Sequence, residues 1–198
     1  MLWGVSTSLI WLRMIDTDSF PRYGVYWNWF KMDPWFAPRY YIRDLWHSRS
    51  PLSSTTLVHN AFFAPNCPRS IVKSLEIGLA EYESMIWPLG MMFPFVNTTG
   101  VIRNIVEWKR GRKNLLVVAG EKDVLMTPKI MWDVRTVYKG VVERLSPWLS
   151  EKGDSKVAEA NDEENVGFEV VSDSGHHFQN DIHWEEAAEK IEKFLGQL

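Results

Sequence analysis

The run Leu115-Leu-Val-Val118 is wholly apolar and is closed by Ala119-Gly120, which predicts a strand buried on both faces that ends in a turn. Ile130, Val134, Val137, Val141 and Leu145 then recur at helical spacing, with Thr127 placed as N-cap, Pro128 as first helical residue and Pro147 as the stop. Phe168 to Val171 reads as the next strand. Trp184, Ala187, Ala188, Ile191, Leu195 and Leu198 mark a final amphipathic helix, with Glu185 and Glu186 in its first turn and Lys190 and Lys193 later, as the helix dipole prefers. Strand, helix, strand and helix in that order imply an α/β fold in which parallel strands are joined by crossover helices.

Upstream the pattern changes. Seven of the eleven tryptophans and eight of the ten prolines precede Phe95, and no strand alternation of any length occurs among them. Short helices broken by turns are expected at 27–34, 38–46 and 68–79, the last with Ile71, Leu75 and Leu79 on one face. Residues 1–108 are therefore read as a mostly helical lid or cap, and 109–198 as the α/β core portion. The Met-rich, aromatic stretch 83–95 suits the lining of an apolar ligand cavity, or equally the packing of a lid on a core. Residues 151–164 hold six acids and two lysines with almost no apolar content, so 151–166 is read as a flexible acidic insertion at the surface.

Composition narrows the function. With 198 residues, 45% hydrophobic, 24% charged and a net charge of −3, the chain fits one ordinary globular domain. The mild acidity, with no basic run longer than Lys109-Arg110-Gly-Arg112-Lys113, argues against nucleic acid as a partner. Cys67 is the single cysteine, so a disulfide framework is excluded and a reducing, cytoplasmic setting is expected. The apolar N-terminus lacks a basic leader and is interrupted by Arg13 and Asp16, so neither a signal peptide nor a membrane span is expected.

Two residues carry candidate chemistry. Asp123 follows Gly120 just beyond a buried strand, at the edge where open parallel sheets bind ligands. Glu121 is the competing carboxylate, nearer the strand and expected to face solvent. His176 follows Gly175 in the turn after the next strand, where a neutral imidazole accepts a proton at one nitrogen while a carboxylate holds the other. His177 is its rival, and the Gly-His order favours His176. A metal site is disfavoured, because His47, His59 and His183 with the His176-His177 pair make a weak ligand set; no cofactor is expected.

Gly-x-x-Asp after a strand, a proline-started crossover helix, a further strand, Gly-His and a last helix together resemble the C-terminal portion of the α/β-hydrolase family. The resemblance covers 114–198, with 1–112 as the helical lid such enzymes insert, and implies a partial α/β-hydrolase fold. It implies that Asp123 orients and His176 acts as general base in a Ser-His-Asp mechanism on an ester, thioester or amide of an apolar substrate. The 53-residue separation of the two exceeds the family's usual loop, and the acidic segment accounts for the excess. The nucleophile departs more seriously. Gly4-Val-Ser6-Thr-Ser8 lacks the second glycine of Gly-x-Ser-x-Gly, and no oxyanion loop is found. Ser53, Ser54 and Ser84 read as caps or surface groups.

The chain is thus expected to be the lid plus C-terminal half of a serine-hydrolase-like protein, inactive alone and prone to self-association through an exposed sheet edge. The alternative is a non-catalytic small-molecule-binding protein on a degenerate hydrolase fold. A nucleotide-binding half-fold is disfavoured, since no Gly-rich phosphate loop follows a strand.

Overall fold

A computed structural model describes residues 21–47, 50–79, 97–105, 114–152 and 165–197. Residues 1–20, 83–95 and 153–164 lie outside these, so the readings placed on the N-terminus, Ser6, Ser84, the Met-rich stretch and most of the acidic segment fall outside the described residues.

Helices α1 (Pro21–Met32), α2 (Thr55–Phe62), α3 (Arg69–Gly78) and α4 (Thr98–Arg103) precede strand β1 (Leu115–Gly120). Helix α5 (Pro128–Lys152), strand β2 (Val166–Val171) and helix α6 (Trp184–Leu195) complete the order. The two strands are parallel, in register from Leu115 opposite Val166 to Gly120 opposite Val171. Asn114 and Asn165 clamp the start of the ladder, through a side-chain amide bond of 2.9 Å and through Asn165 O, which accepts from the backbone N–H of Asn114 and Leu115.

Successive residues of β1 face opposite layers. Val117 and Ala119 join Ile130, Met131, Val134, Val141 and Val142 of α5 in the main core. Val118 and Leu116 pack with Val171, Phe178 and Ala187 on the α6 side. Cover on both faces is why the strand reads as a continuous apolar run rather than an alternation. Val25 of α1, Ala61 of α2 and Ile102 of α4 lie in the same main core, so the helical N-terminal part and the α/β part share one apolar cluster. A second cluster, Val58, Phe63, Cys67 and Val72, is sealed by Ile71, Leu75 and Leu79, the face anticipated for α3.

Several boundaries differ from expectation. Helix α5 runs through Pro147 to Lys152 rather than stopping there. Pro147 is exposed, so water can serve the carbonyl its missing N–H leaves, and Trp148 holds the last turns by packing on the main core under the Arg103 guanidinium, 5.4 Å away. Glu151 and Lys152 therefore belong to α5 and Val166 to β2, which trims both ends of the anticipated 151–166 insertion. In α6 only Ala187 is fully buried, while Trp184 and Leu195 are 48% and 57% exposed, so its apolar face is narrower than the sequence suggests. The helix expected at 38–46 is instead one turn (Phe36–Pro38) running into a π-turn (Arg39–Arg43), closed by Asp44 N–H donating to Arg39 O at 2.9 Å.

Candidate functional site

Asp123 reaches its position because β1 ends in a glycine turn tied to the neighbouring loop. Glu121 N–H donates to Val171 O, Lys122 N–H to Ser174 O and Asp123 N–H back to Gly120 O. The turn then wraps the carboxylate: Oδ1 accepts from the backbone N–H of Leu125 at 2.9 Å and of Met126 at 2.8 Å. Oδ2 faces His176 Nδ1 at 2.7 Å. Both side chains are nearly withdrawn from water, at 4% and 6% exposure. Asp123 is thus at once the brace of its own turn and the partner of the imidazole. Glu121, the rival acid, is exposed; it accepts Asp173 N–H at 2.9 Å and pairs with Lys122, contacts that hold its carboxyl below the usual range.

His176 is held from three sides. Gly175 N–H donates to Asp181 Oδ2 at 2.8 Å, and the same oxygen accepts Ala64 N–H from beyond α2 at 2.8 Å. Asp181 Oδ1 takes Ile182 N–H at 2.8 Å, which leaves this buried carboxylate with three backbone donors. The Phe62 ring stacks on the imidazole, centroids 5.9 Å apart. Two glycines let these backbones meet. A β-carbon on Gly120 would lie 2.1 Å from Gly175 O, and one on Gly175 would lie 2.4 Å from the Phe63 carbonyl carbon.

The geometry also selects between the adjacent histidines. His177 points away from Asp123: its backbone N–H donates to Phe62 O at 2.7 Å, while its ring meets Asn180 and Gln179 amides at 2.8 and 3.3 Å. Burial, followed by the neighbouring His176, pushes its pKa down to about 4, so it stays neutral at pH 7. In the Asp123–His176 bond an ionised carboxylate only accepts, so the proton sits on Nδ1 and Nε2 is the basic nitrogen.

The candidate serines within the described residues serve the scaffold. Ser54 caps α2 by accepting Leu57 N–H at 3.3 Å, and Ser53 meets Arg43 at 3.4 Å. Cys67 is buried, and burial with the nearby Asp181 pushes its thiol up to about 12, far from a reactive thiolate. No group of three metal-ligating side chains converges among the described residues. An open groove of about 470 Å³, lined in part by Ile71, Gln179, Ile182 and Trp184, lies beside the turn after His177 and does not include Asp123 or His176. No helix among the described residues is long and apolar enough to cross a membrane.

Sequence reasoning did not find Asp181, Phe62 or Ala64. Asp181 sits five residues beyond His176 with no flanking pattern, and its partner Ala64 is 117 residues away. The one local signal is Gly175, a residue without a β-carbon at which another backbone can approach closely. No family model matches the chain, and comparison with curated proteins and with solved structures found no match.

Proposed function

We propose that Asp123 and His176 are the acid and base of an α/β-hydrolase-type device that hydrolyses an ester, thioester or amide of an apolar substrate. The observation that carries this reading is the 2.7 Å bond between two buried groups placed just past the ends of adjacent parallel strands. His176 Nε2 withdraws the proton from a serine hydroxyl as its oxygen adds to the substrate carbonyl carbon. The imidazolium so formed returns that proton to the leaving group as its bond to the carbonyl carbon breaks; Nε2 then deprotonates a water that adds to the acyl-serine, releases the acid and restores the hydroxyl, and Asp123 holds the ring and its charge throughout. General acid–base assistance of this kind contributes about 10²–10⁴-fold.

The nucleophile is assigned to no serine among the described residues. Self-association belongs to the same reading: β1 and β2 pair only with each other among the described residues, which leaves an outer edge on each for a further strand. A cytoplasmic setting accords with the single buried thiol of Cys67.

The test is covalent labelling of the purified chain with a fluorophosphonate, the adduct mapped by mass spectrometry, beside a His176→Ala control. A serine adduct that depends on His176 supports a hydrolase complete within this chain. Absence of labelling in folded protein overturns that, and a partner supplying the serine is then sought by adding candidate half-domains to the same assay.

A further inference from the structure

Helix α1 carries a polar residue in the face it buries. Val25, Trp29 and Met32 of that face join the main core, and Asn28 lies among them at helical spacing. A leucine there would bury more apolar area and suit a helix better, and an amide withdrawn from water costs stability unless it is paired. Asn28 is paired across 97 residues of sequence: its Nδ2 donates to Leu125 O at 3.0 Å.

The acceptor gives this bond its consequence. Leu125 O and Met126 N–H belong to one peptide unit, and that N–H is one of the two donors holding Asp123 Oδ1, at 2.8 Å. A continuous line of hydrogen bonds therefore runs from the Asn28 amide through the Leu125–Met126 peptide to the Asp123 carboxylate, and from Oδ2 to His176 Nδ1 at 2.7 Å. Its inner members are out of water: Leu125 is fully buried, and Met126, Asp123 and His176 nearly so.

A peptide whose oxygen accepts a hydrogen bond becomes a stronger donor at its N–H, because the amide polarises as a unit and buried surroundings screen little. Asn28 thus adds to the positive charge that Met126 N–H presents to Oδ1, and draws negative charge away from the carboxylate oxygen that faces His176. By holding the plane of the same peptide it also fixes the direction of that N–H. Packing needs no amide here, since Val25, Trp29 and Met32 already tie α1 to the main core. We infer that Asn28 is a positioning residue for the Asp123–His176 pair, and that the docking of α1 sets how strongly the carboxylate holds the imidazole. The N-terminal helical part is then a working part of the site as well as its cover. The inference rests on the proposed acid–base reading for its use in catalysis, while the coupling itself exists in the ground state, without substrate or serine.

The test reads the ring nitrogens of His176 by NMR on the full chain in alkaline buffer, with the heavy nitrogen isotope placed in histidine and His176→Gln assigning the signals by their loss. In Asn28→Leu the Met126 N–H is a weaker donor and more charge returns to Oδ2. The His176 Nδ1 signal should therefore move downfield, as its bond to that oxygen strengthens. Val25→Ala is the comparison, because it loosens the same face of α1 through lost packing and leaves the line of hydrogen bonds whole; its Nδ1 signal should stay in place. A signal that stays in place in folded Asn28→Leu, moves upfield, or moves as far in Val25→Ala overturns the inference and leaves Asn28 fixing only the register of α1 on the core. If Asn28→Leu fails to melt cooperatively, Asn28→Ser carries the comparison, since its side chain stays polar and is too short to reach Leu125 O. Fluorophosphonate labelling of the wild type reports on the hydrolase reading separately. A chain that does not label can still show the displacement, and a labelling chain whose signal does not move removes Asn28 and keeps the pair.

Discussion

Replacing Asp123 by Asn separates the two tasks of this carboxylate. The amide oxygen can keep the Leu125 and Met126 N–H groups that Oδ1 accepts, so the turn retains its brace. The amide nitrogen then faces His176 Nδ1 at a 2.7 Å contact made for a donor and an acceptor. Two donors cannot share it, so the imidazole proton moves to Nε2 and the basic nitrogen turns inward. In a nucleophile-His-acid device that tautomer change lowers turnover on the order of 10⁴-fold. Stability falls less. Three charge-assisted bonds become neutral ones, each change being about 1 kcal/mol, for a total of about 2–4 kcal/mol. The assay is the pseudo-first-order rate of fluorophosphonate labelling, measured on the chain where it labels alone and otherwise on its complex with the half-domain that supplies the serine, paired with urea melts of both proteins. A variant that melts lower by that amount yet labels at the wild-type rate would refute the assignment of Asp123 to the chemistry and leave it a turn brace.

Asp181→Asn should cost about 2–4 kcal/mol in urea unfolding, because this buried carboxylate accepts three backbone N–H groups and the amide can accept only at its oxygen; an unchanged midpoint would show the junction to be dispensable. Gly120→Ala forces a β-carbon to within 2.1 Å of a backbone oxygen, so the thermal midpoint should drop by the equivalent of 3 kcal/mol or more, roughly the upper end of overpacking costs. The depressed pKa of His177 sets a pH dependence. The unfolded chain takes up its proton near 6.5 and the folded one only near 4, so stability is fully present above pH 6.5, declines as pH falls through this window and levels below about 4. Allowing for partial solvent access, the loss is about 2 kcal/mol, and His177→Gln should flatten that part of the curve.

The strands, the crossover helix and the Asp123–His176 pair were legible because each is set by local rules. An apolar run needs cover on both faces, a glycine ends it, and the side chain just past the turn falls at the sheet edge. Helix α5 outran its proline because Trp148, four-fifths of the way along, is anchored by a tertiary contact to Arg103 that no local rule contains. The π-turn at Arg39–Arg43 escaped notice for a similar reason: the Arg39–Asp33 pair beneath it fixes a geometry that helical spacing alone would not choose. Asp181 was invisible because its role exists only between segments. Its three donors come from the α2 exit, the His176 loop and its own turn.

That junction also sets an order of events in time. The Ala64 N–H must wait for a carboxylate 117 residues downstream, and His176 must wait for the same carboxylate to fix Gly175. At synthesis rates of about 5–20 residues per second, α2 leaves the ribosome roughly 6–23 s before its partner exists. Helices α2 and α3 can pack on each other meanwhile through Val58 and Val72, but the imidazole cannot be placed until the turn at Asp181 has emerged. The pair is therefore among the last contacts to close, and closing it spans a loop long enough to slow folding. A nascent chain stalled before Asp181 would hold Asp123 in its turn and still lack a seated base.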